Sequence, residues 1–139
     1  MPEKPYQILV IEDSATDVLL IGEALREHGV RHEMTVLHNG EAALTHLTKL
    51  ENAALPDLVI LDLHLPKYDG LHVLAEYRRQ PELAKVPIVV FSSSDSLSDK
   101  LRAKAAGVTG FLRKPLDLTA YLTTGKIFRR ILETGDSQA

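Results

Sequence analysis

Four places along the chain carry side chains able to do chemistry, and each lies where an apolar run stops. Leu58-Val59-Ile60-Leu61 ends in Asp62, and Ile8-Leu9-Val10-Ile11 ends in Glu12-Asp13. Ile88-Val89-Val90-Phe91 ends in Ser92, and the short stretch 110–112 is soon followed by Lys114-Pro115. Short β-branched runs of this kind read as strands buried on both faces of a parallel sheet. The carboxyl ends of such strands form the crevice where open α/β sheets hold ligands. Three carboxylates in one crevice repel one another by about 4 kcal/mol per close pair at an effective dielectric near 20. A hard cation removes that conflict. Mg²⁺ suits the task, because it uses few carboxylates, keeps waters and shares a phosphate oxygen. The Lys114 ammonium can balance the acids or hold a phosphoryl oxygen as a point charge, and the Ser92 hydroxyl can donate to one.

Each residue alone also has a plainer reading. Strand-end acids are commonly just solvated, and a lysine before proline is commonly a loop lysine. The tract Ser92-Ser93-Ser94-Asp95-Ser96 can form a turn with Ser96 capping the next helix. A cis Lys114–Pro115 bond would aim the lysine inward, and the sequence leaves the isomer open. Joint placement is what favours a site.

The elements that must position these residues alternate strand and helix throughout. Strands are expected over 6–11, 33–37, 58–61, 87–91 and 110–112. Ser14 is the expected N-cap of a first helix, with Asp17 three residues on and Gly29 as its stop. Asn39 caps a second helix over 41–50, and 51–56 is a loop. Further helices are expected over 70–79, 97–106 (ended by Gly107) and 118–132. Five βα units imply right-handed crossovers and helices on both faces of a parallel sheet. The expected fold is α/β: a flavodoxin-like three-layer sandwich with strand order 2-1-3-4-5, which sets Glu12, Asp13 and Asp62 side by side.

Bulk properties agree. A chain of 139 residues, 45% apolar and 25% charged, fits one soluble domain with a core over about 6–132. Its net charge of −3 gives no general attraction to nucleic acid or anionic membranes. Without cysteine there is neither a disulfide framework nor a thiolate metal site. No apolar stretch reaches the roughly 20 residues of a membrane span, and no signal peptide is visible, so a cytoplasmic location is expected. Gly29 interrupts the helical spacing of His28 and His32, which argues against a metal site there.

Glu12-Asp13, Asp62 with Pro66 and Gly70 downstream, Ser92-Ser93, and Lys114-Pro115 together resemble the active-site set of response-regulator receiver domains of two-component systems. The likeness runs from the first strand through the last helix. It implies that Asp62 accepts a phosphoryl group from a sensor histidine kinase. It further implies that Asp13 and Asp62 ligate Mg²⁺, that Glu12 does so through water, and that the His64 backbone carbonyl completes the protein ligands. Ser92 and Lys114 would hold phosphoryl oxygens. Phe111 would be the aromatic partner of Ser92 in a switch, although plain core packing also explains a Phe there. His64 stands where many receivers carry Asn or Met. The longer stretch 46–56, with 61–67 and 71–78, is similar to the small regulators paired with bacterial phytochrome kinases.

With no effector domain expected after the last helix, output should be protein contact within a phosphorelay. Tyr121, Gly125, Phe128 and Leu132 form one stripe on that helix. Ala120, Thr124, Ile127 and Ile131 form another, about 100° away. A helix on a sheet seldom buries both, so Ile127 and Ile131 are expected to be exposed and to pack in a homodimer through the fourth and fifth helices. The alternative is one wide buried face. Lys100, Arg102, Lys104, Lys126, Arg129 and Arg130 share those helices and suit acidic partners or solvent better than DNA.

Other functions fit less well. A receiver-like scaffold that works without phosphorylation would not need Asp62, Ser92 and Lys114 together. A metal-dependent phosphatase needs a second acid just after its nucleophile, where His64 stands. Flavin or nucleotide binding needs a Gly-rich phosphate loop, which is missing.

Overall fold

The computed structural model describes residues 4–50 and 55–136. Five strands, β1 (Tyr6–Ile11), β2 (His32–Leu37), β3 (Leu58–Leu61), β4 (Ile88–Ser92) and β5 (Gly110–Arg113), alternate with five α-helices. The helices are α1 (Ala15–Glu27), α2 (Gly40–Leu47), α3 (Gly70–Arg78), α4 (Leu97–Ala105) and α5 (Leu118–Thr134). The strands form one parallel sheet in the order β2-β1-β3-β4-β5, as expected.

Every residue of β3 is buried, because helices cover both faces of the central strands. One core layer joins Leu9, Ile11, Val59, Leu61, Ile88 and Val90 to residues of α2, α3 and α4. The other joins Ile8, Val10, Leu58, Ile60, Val89 and Phe91 to α1 and α5. Alternation along each strand thus feeds two cores, each buried aliphatic side chain stabilising by about 1.5–3 kcal/mol.

Helix starts follow the sequence closely. Ser14, Asn39, Asp69, Ser96 and Asp117 each cap a helix by accepting a backbone N–H in its first turn. Ends are less faithful. α2 stops at Leu47 rather than near 50, because Thr48 turns back and gives both its N–H and its hydroxyl to the Thr45 carbonyl. α5 runs on to Thr134 and is closed by left-handed Gly135, whose N–H bonds the Ile131 carbonyl at 2.7 Å. The expected 51–56 loop lies largely outside the described residues.

Arg78 ties the amino end of the sheet together. Its guanidinium donates to the carbonyls of Gly107, Leu83 and Val86 at 2.8–3.0 Å. α4 is the loosest element, with only Ala103 buried and Leu97 and Leu101 exposed. Among the described residues no helix is long and apolar enough to cross a membrane.

The expected exposure of the second α5 stripe is overturned. Ile131 is 0% exposed and Thr124 7%, while Ile127 is half-buried against the same core. α5 lies in the angle between α1 and the sheet, so its buried arc is wider than a single stripe. Ile131 therefore cannot line a surface between two copies.

Candidate functional site

Pairing of β3 with β1 aligns Leu61 with Ile11, so the residues that follow, Asp62 and Glu12, leave the sheet as neighbours. Backbone bonds keep them there: Asp62 N–H donates to the Ile11 carbonyl at 3.0 Å, and Glu12 N–H donates to the Leu37 carbonyl at 2.9 Å. Glu12 and Asp62 are buried, whereas Asp13 faces solvent. One oxygen from each of Glu12, Asp13 and Asp62 can be chosen so that all lie within 4.8 Å of one another. That all-oxygen set, open on the Asp13 side, fits a hard divalent cation that keeps part of its water shell.

β5 delivers the counter-charge. The Lys114 N–H donates to the Ser92 carbonyl at 2.8 Å, extending the β4–β5 ladder one residue beyond the paired strands. From there the Lys114 ammonium donates to Glu12 Oε1 at 2.6 Å, Asp17 Oδ2 at 3.1 Å and Asp62 Oδ2 at 3.4 Å. The lysine is thus turned inward with its proline bond trans, since no cis peptide occurs among the described residues.

The electrostatics follow from this crowding. Burial pushes the Glu12 carboxyl up to about 7, helped by the Asp62 charge and opposed by Lys114. Burial alone would lower the Lys114 ammonium, but Glu12, Asp62 and Asp17 outweigh it and hold it above the ordinary lysine value. Burial would raise Asp17, yet hydrogen bonds from Tyr121 and Lys114 bring it below the ordinary aspartate value.

The loop after Asp62 is built tightly. His64 N–H donates to Asp62 Oδ1 at 3.3 Å, which sets the loop backbone against the carboxylate, and the His64 side chain faces solvent. A Cβ on Gly70 would come within 2.5 Å of Leu63 Cα and 2.6 Å of the Asp62 carbonyl oxygen, so only glycine lets α3 start this close. Lys67 takes a left-handed φ of 64° between them, and its ammonium reaches Glu41 at 3.2 Å.

Ser92 is fully buried at the end of β4, and its hydroxyl oxygen accepts the Ser94 N–H at 3.3 Å. The serine tract also makes the turn and cap of the plainer reading: Ser96 Oγ accepts the Asp99 N–H, and Ser94 Oγ donates to Asp99. Phe111 is half-buried and packs against the α2–α3–α4 core. It borders a cleft of about 480 Å³ between α4, β5 and α5, with Lys100, Lys104 and Ile127 on its walls.

Glu12, Asp13, Asp62 and Lys114 are therefore brought together as expected, with Ser92 at the next strand end. Asp17 and Tyr121 join the site unexpectedly. Asp17 reads from sequence as a first-turn acid of a capped helix and Tyr121 as part of an apolar stripe. The available signals were the place of Asp17 in the first turn of the helix that starts just after Glu12-Asp13, and the need of a buried tyrosine hydroxyl for a partner.

Comparison with known proteins agrees with this geometry. Residues 8–124 match the model of the response regulator receiver domain. Response regulator Rcp1 of Synechocystis sp. is 38% identical over 117 residues, spanning 82% of this chain and 80% of Rcp1. A probable methanogenesis regulatory protein, FilR2 of Methanothrix harundinacea, is 39% identical over 116 residues, spanning 82% of this chain and 75% of its own. The crystal structure of a phosphorylated cyanobacterial phytochrome response regulator, RcpA, superposes with a TM-score of 0.86 at 32% identity, covering 95% of this chain and 96% of that one. The Mn²⁺-bound form of Rcp1 gives 0.84 at 36% identity, with 94% and 96% covered. Strand order, the acid cluster at the sheet's carboxyl edge and these similarities lead to one conclusion: the chain belongs to the response regulator receiver domain family.

Proposed function

We propose that this protein is a phosphoryl-accepting signalling module in which Asp62 takes the phosphoryl group of a sensor histidine kinase and the changed α4–β5–α5 surface passes the signal on by protein contact. The observation that carries this reading is the Asp62 carboxylate itself, buried at the end of β3 beside two further acids and an ammonium 3.4 Å away.

In the transfer, an Asp62 oxygen forms a bond to phosphorus as the phosphorus–nitrogen bond of the donor phosphohistidine breaks. The nitrogen keeps the electron pair. Lys114 takes up charge on the phosphoryl oxygens, and the Ser92 hydroxyl, whose oxygen already accepts from Ser94, donates its proton to one of them. Glu12, Asp13, Asp62 and the His64 carbonyl would hold a divalent cation, Mg²⁺ in our reading, which when bound neutralises phosphoryl charge. These groups position and stabilise, so the protein is no enzyme beyond its own phosphorylation and dephosphorylation. Phe111 would follow Ser92 inward, driven by a new charge of about −1.5 to −2.

The likeness to RcpA, described as a phytochrome response regulator, supports a phytochrome-type kinase as donor; the reaction would take place in the cytoplasm. A homodimer through α4 and α5 would use exposed Leu97 and Leu101 with half-buried Ile127 in place of Ile131. Incubation with Mg²⁺ and acetyl phosphate, wild type beside Asp62→Asn, tests the central step.

A further inference from the structure

Asp17 is a partner of Lys114 that neither the acid cluster nor the phosphoryl chemistry uses. It sits in the first turn of α1, where its N–H is held by the Ser14 hydroxyl at 3.2 Å. Oδ2 accepts from the Lys114 ammonium at 3.1 Å, and Oδ1 accepts from the Tyr121 hydroxyl at 2.6 Å. Tyr121 belongs to α5, is 4% exposed, and meets Phe91 edge-to-face with ring centroids 5.2 Å apart. Both Asp17 oxygens are therefore fixed, one from the site and one from a packed helix.

An ammonium has three protons to donate, and Lys114 directs them at Glu12, Asp17 and Asp62. Glu12 and Asp62 both belong to the acid cluster that suits a cation, whereas Asp17 lies outside it. A cation shared with Glu12 and Asp62 weakens their pull on the ammonium and leaves that of Asp17 intact. Phosphorylation also replaces the Asp62 carboxylate oxygen by phosphoryl oxygens. The contact to Asp62 is the longest of the three, which makes it the one most easily exchanged.

We propose that Asp17 is a positioning residue for Lys114, holding the ammonium at the acceptor while cation and phosphoryl group compete for its other partners, and that Tyr121 fixes Asp17 for this task. The inference rests on the phosphoryl-acceptor reading above. With acetyl phosphate as donor, an Asp62 oxygen bonds to phosphorus as the bond from phosphorus to the acetate oxygen breaks, and acetate leaves with the electron pair. Without Asp17 the ammonium stays with Glu12, its nearest partner, and meets the developing charge late.

Phosphorylation rates of the full chain with Mg²⁺ and acetyl phosphate test this, together with the ¹⁵N resonance of the Lys114 ammonium in the same samples. Asp17→Asn keeps the shape and removes the charge; it should slow phosphorylation about tenfold, equal to about 1.4 kcal/mol in the barrier. The Lys114 resonance should shift or broaden in step. Tyr121→Phe, which leaves the Asp17 charge in place, should give a smaller slowing and a smaller change of the same resonance. Rates within twofold of wild type in Asp17→Asn would overturn the proposal. So would slowing with an unmoved Lys114 resonance, which marks a merely structural effect. Wild-type protein that takes no phosphoryl group on Asp62 would instead defeat the acceptor reading, and this inference with it.

Discussion

Lys114 lies nearer to Glu12, at 2.6 Å, than to Asp62, at 3.4 Å, so without a cation its strongest tie is to the acid that is not the proposed acceptor. Both partners of the shorter pair are largely out of solvent, with side-chain exposures of 12% and 3%. Removing the lysine would leave Glu12 and Asp62 facing each other with only the backbone N–H groups of Ser14 and His64 as donors. Lys114→Met should therefore destabilise the cation-free protein by about 3 kcal/mol. Urea unfolding with and without Mg²⁺ checks this; the loss should be smaller with Mg²⁺, which supplies the missing positive charge.

Divalent cations should stabilise the wild-type fold. The Glu12–Asp13–Asp62 oxygens are already gathered, so binding needs little rearrangement. At a hundredfold excess over Kd the gain is about 2.7 kcal/mol, read as a rise in Tm. Asp13→Asn should remove most of this response with little effect on the cation-free Tm, because Asp13 is exposed.

The contact of α1 with α5 depends on Gly125. A Cβ there would come within 2.0 Å of the Ala24 carbonyl oxygen and 2.7 Å of His28 Cδ2. Backbone cannot yield as a side chain would. Gly125→Ala should cost about 2–3 kcal/mol by chemical denaturation. It should also loosen the Tyr121–Asp17 bond, which spans the same two helices.

Asp17 gives the fold a defined acid sensitivity. Its folded-state value lies below the ordinary 3.8, held there against burial by Tyr121 and Lys114. Its contribution is thus complete above pH 3.8 and is lost as pH falls through the lower folded-state value. The stability gap between wild type and Asp17→Asn should be present above pH 3.8 and close as pH falls below it. Urea melts across that range measure it.

Ile131 should behave as a core residue. It is 0% exposed in the core that also holds Phe128, Leu25 and Ile8, so Ile131→Ala should cost about 3 kcal/mol. Light scattering should show no change of mass specific to this substitution while the protein remains folded.

The strand ends were legible because burial on both faces leaves an unbroken apolar run, and the polar residue that stops it marks the crevice. Asp62, Glu12 and Lys114 were found that way, and the caps at Ser14 and Ser96 followed from local hydrogen bonding. Asp17 was not, because its partners Lys114 and Tyr121 are about a hundred residues away and no local rule links them. Ile131 was misplaced for a related reason. Periodicity counts the faces of a helix, but whether a second face is covered depends on the neighbouring helix, here α1. The early stop of α2 reflects Thr48 folding back on the Thr45 carbonyl, a choice that propensity alone leaves balanced.

Whether Asp62 carries the phosphoryl group is decided by intact-mass spectrometry after incubation with Mg²⁺ and acetyl phosphate. Wild-type protein should gain one phosphoryl group per chain, and the gain should be abolished by a chelator added beforehand and absent from Asp62→Asn. Unmodified wild-type protein, or equal labelling of Asp62→Asn, would contradict it.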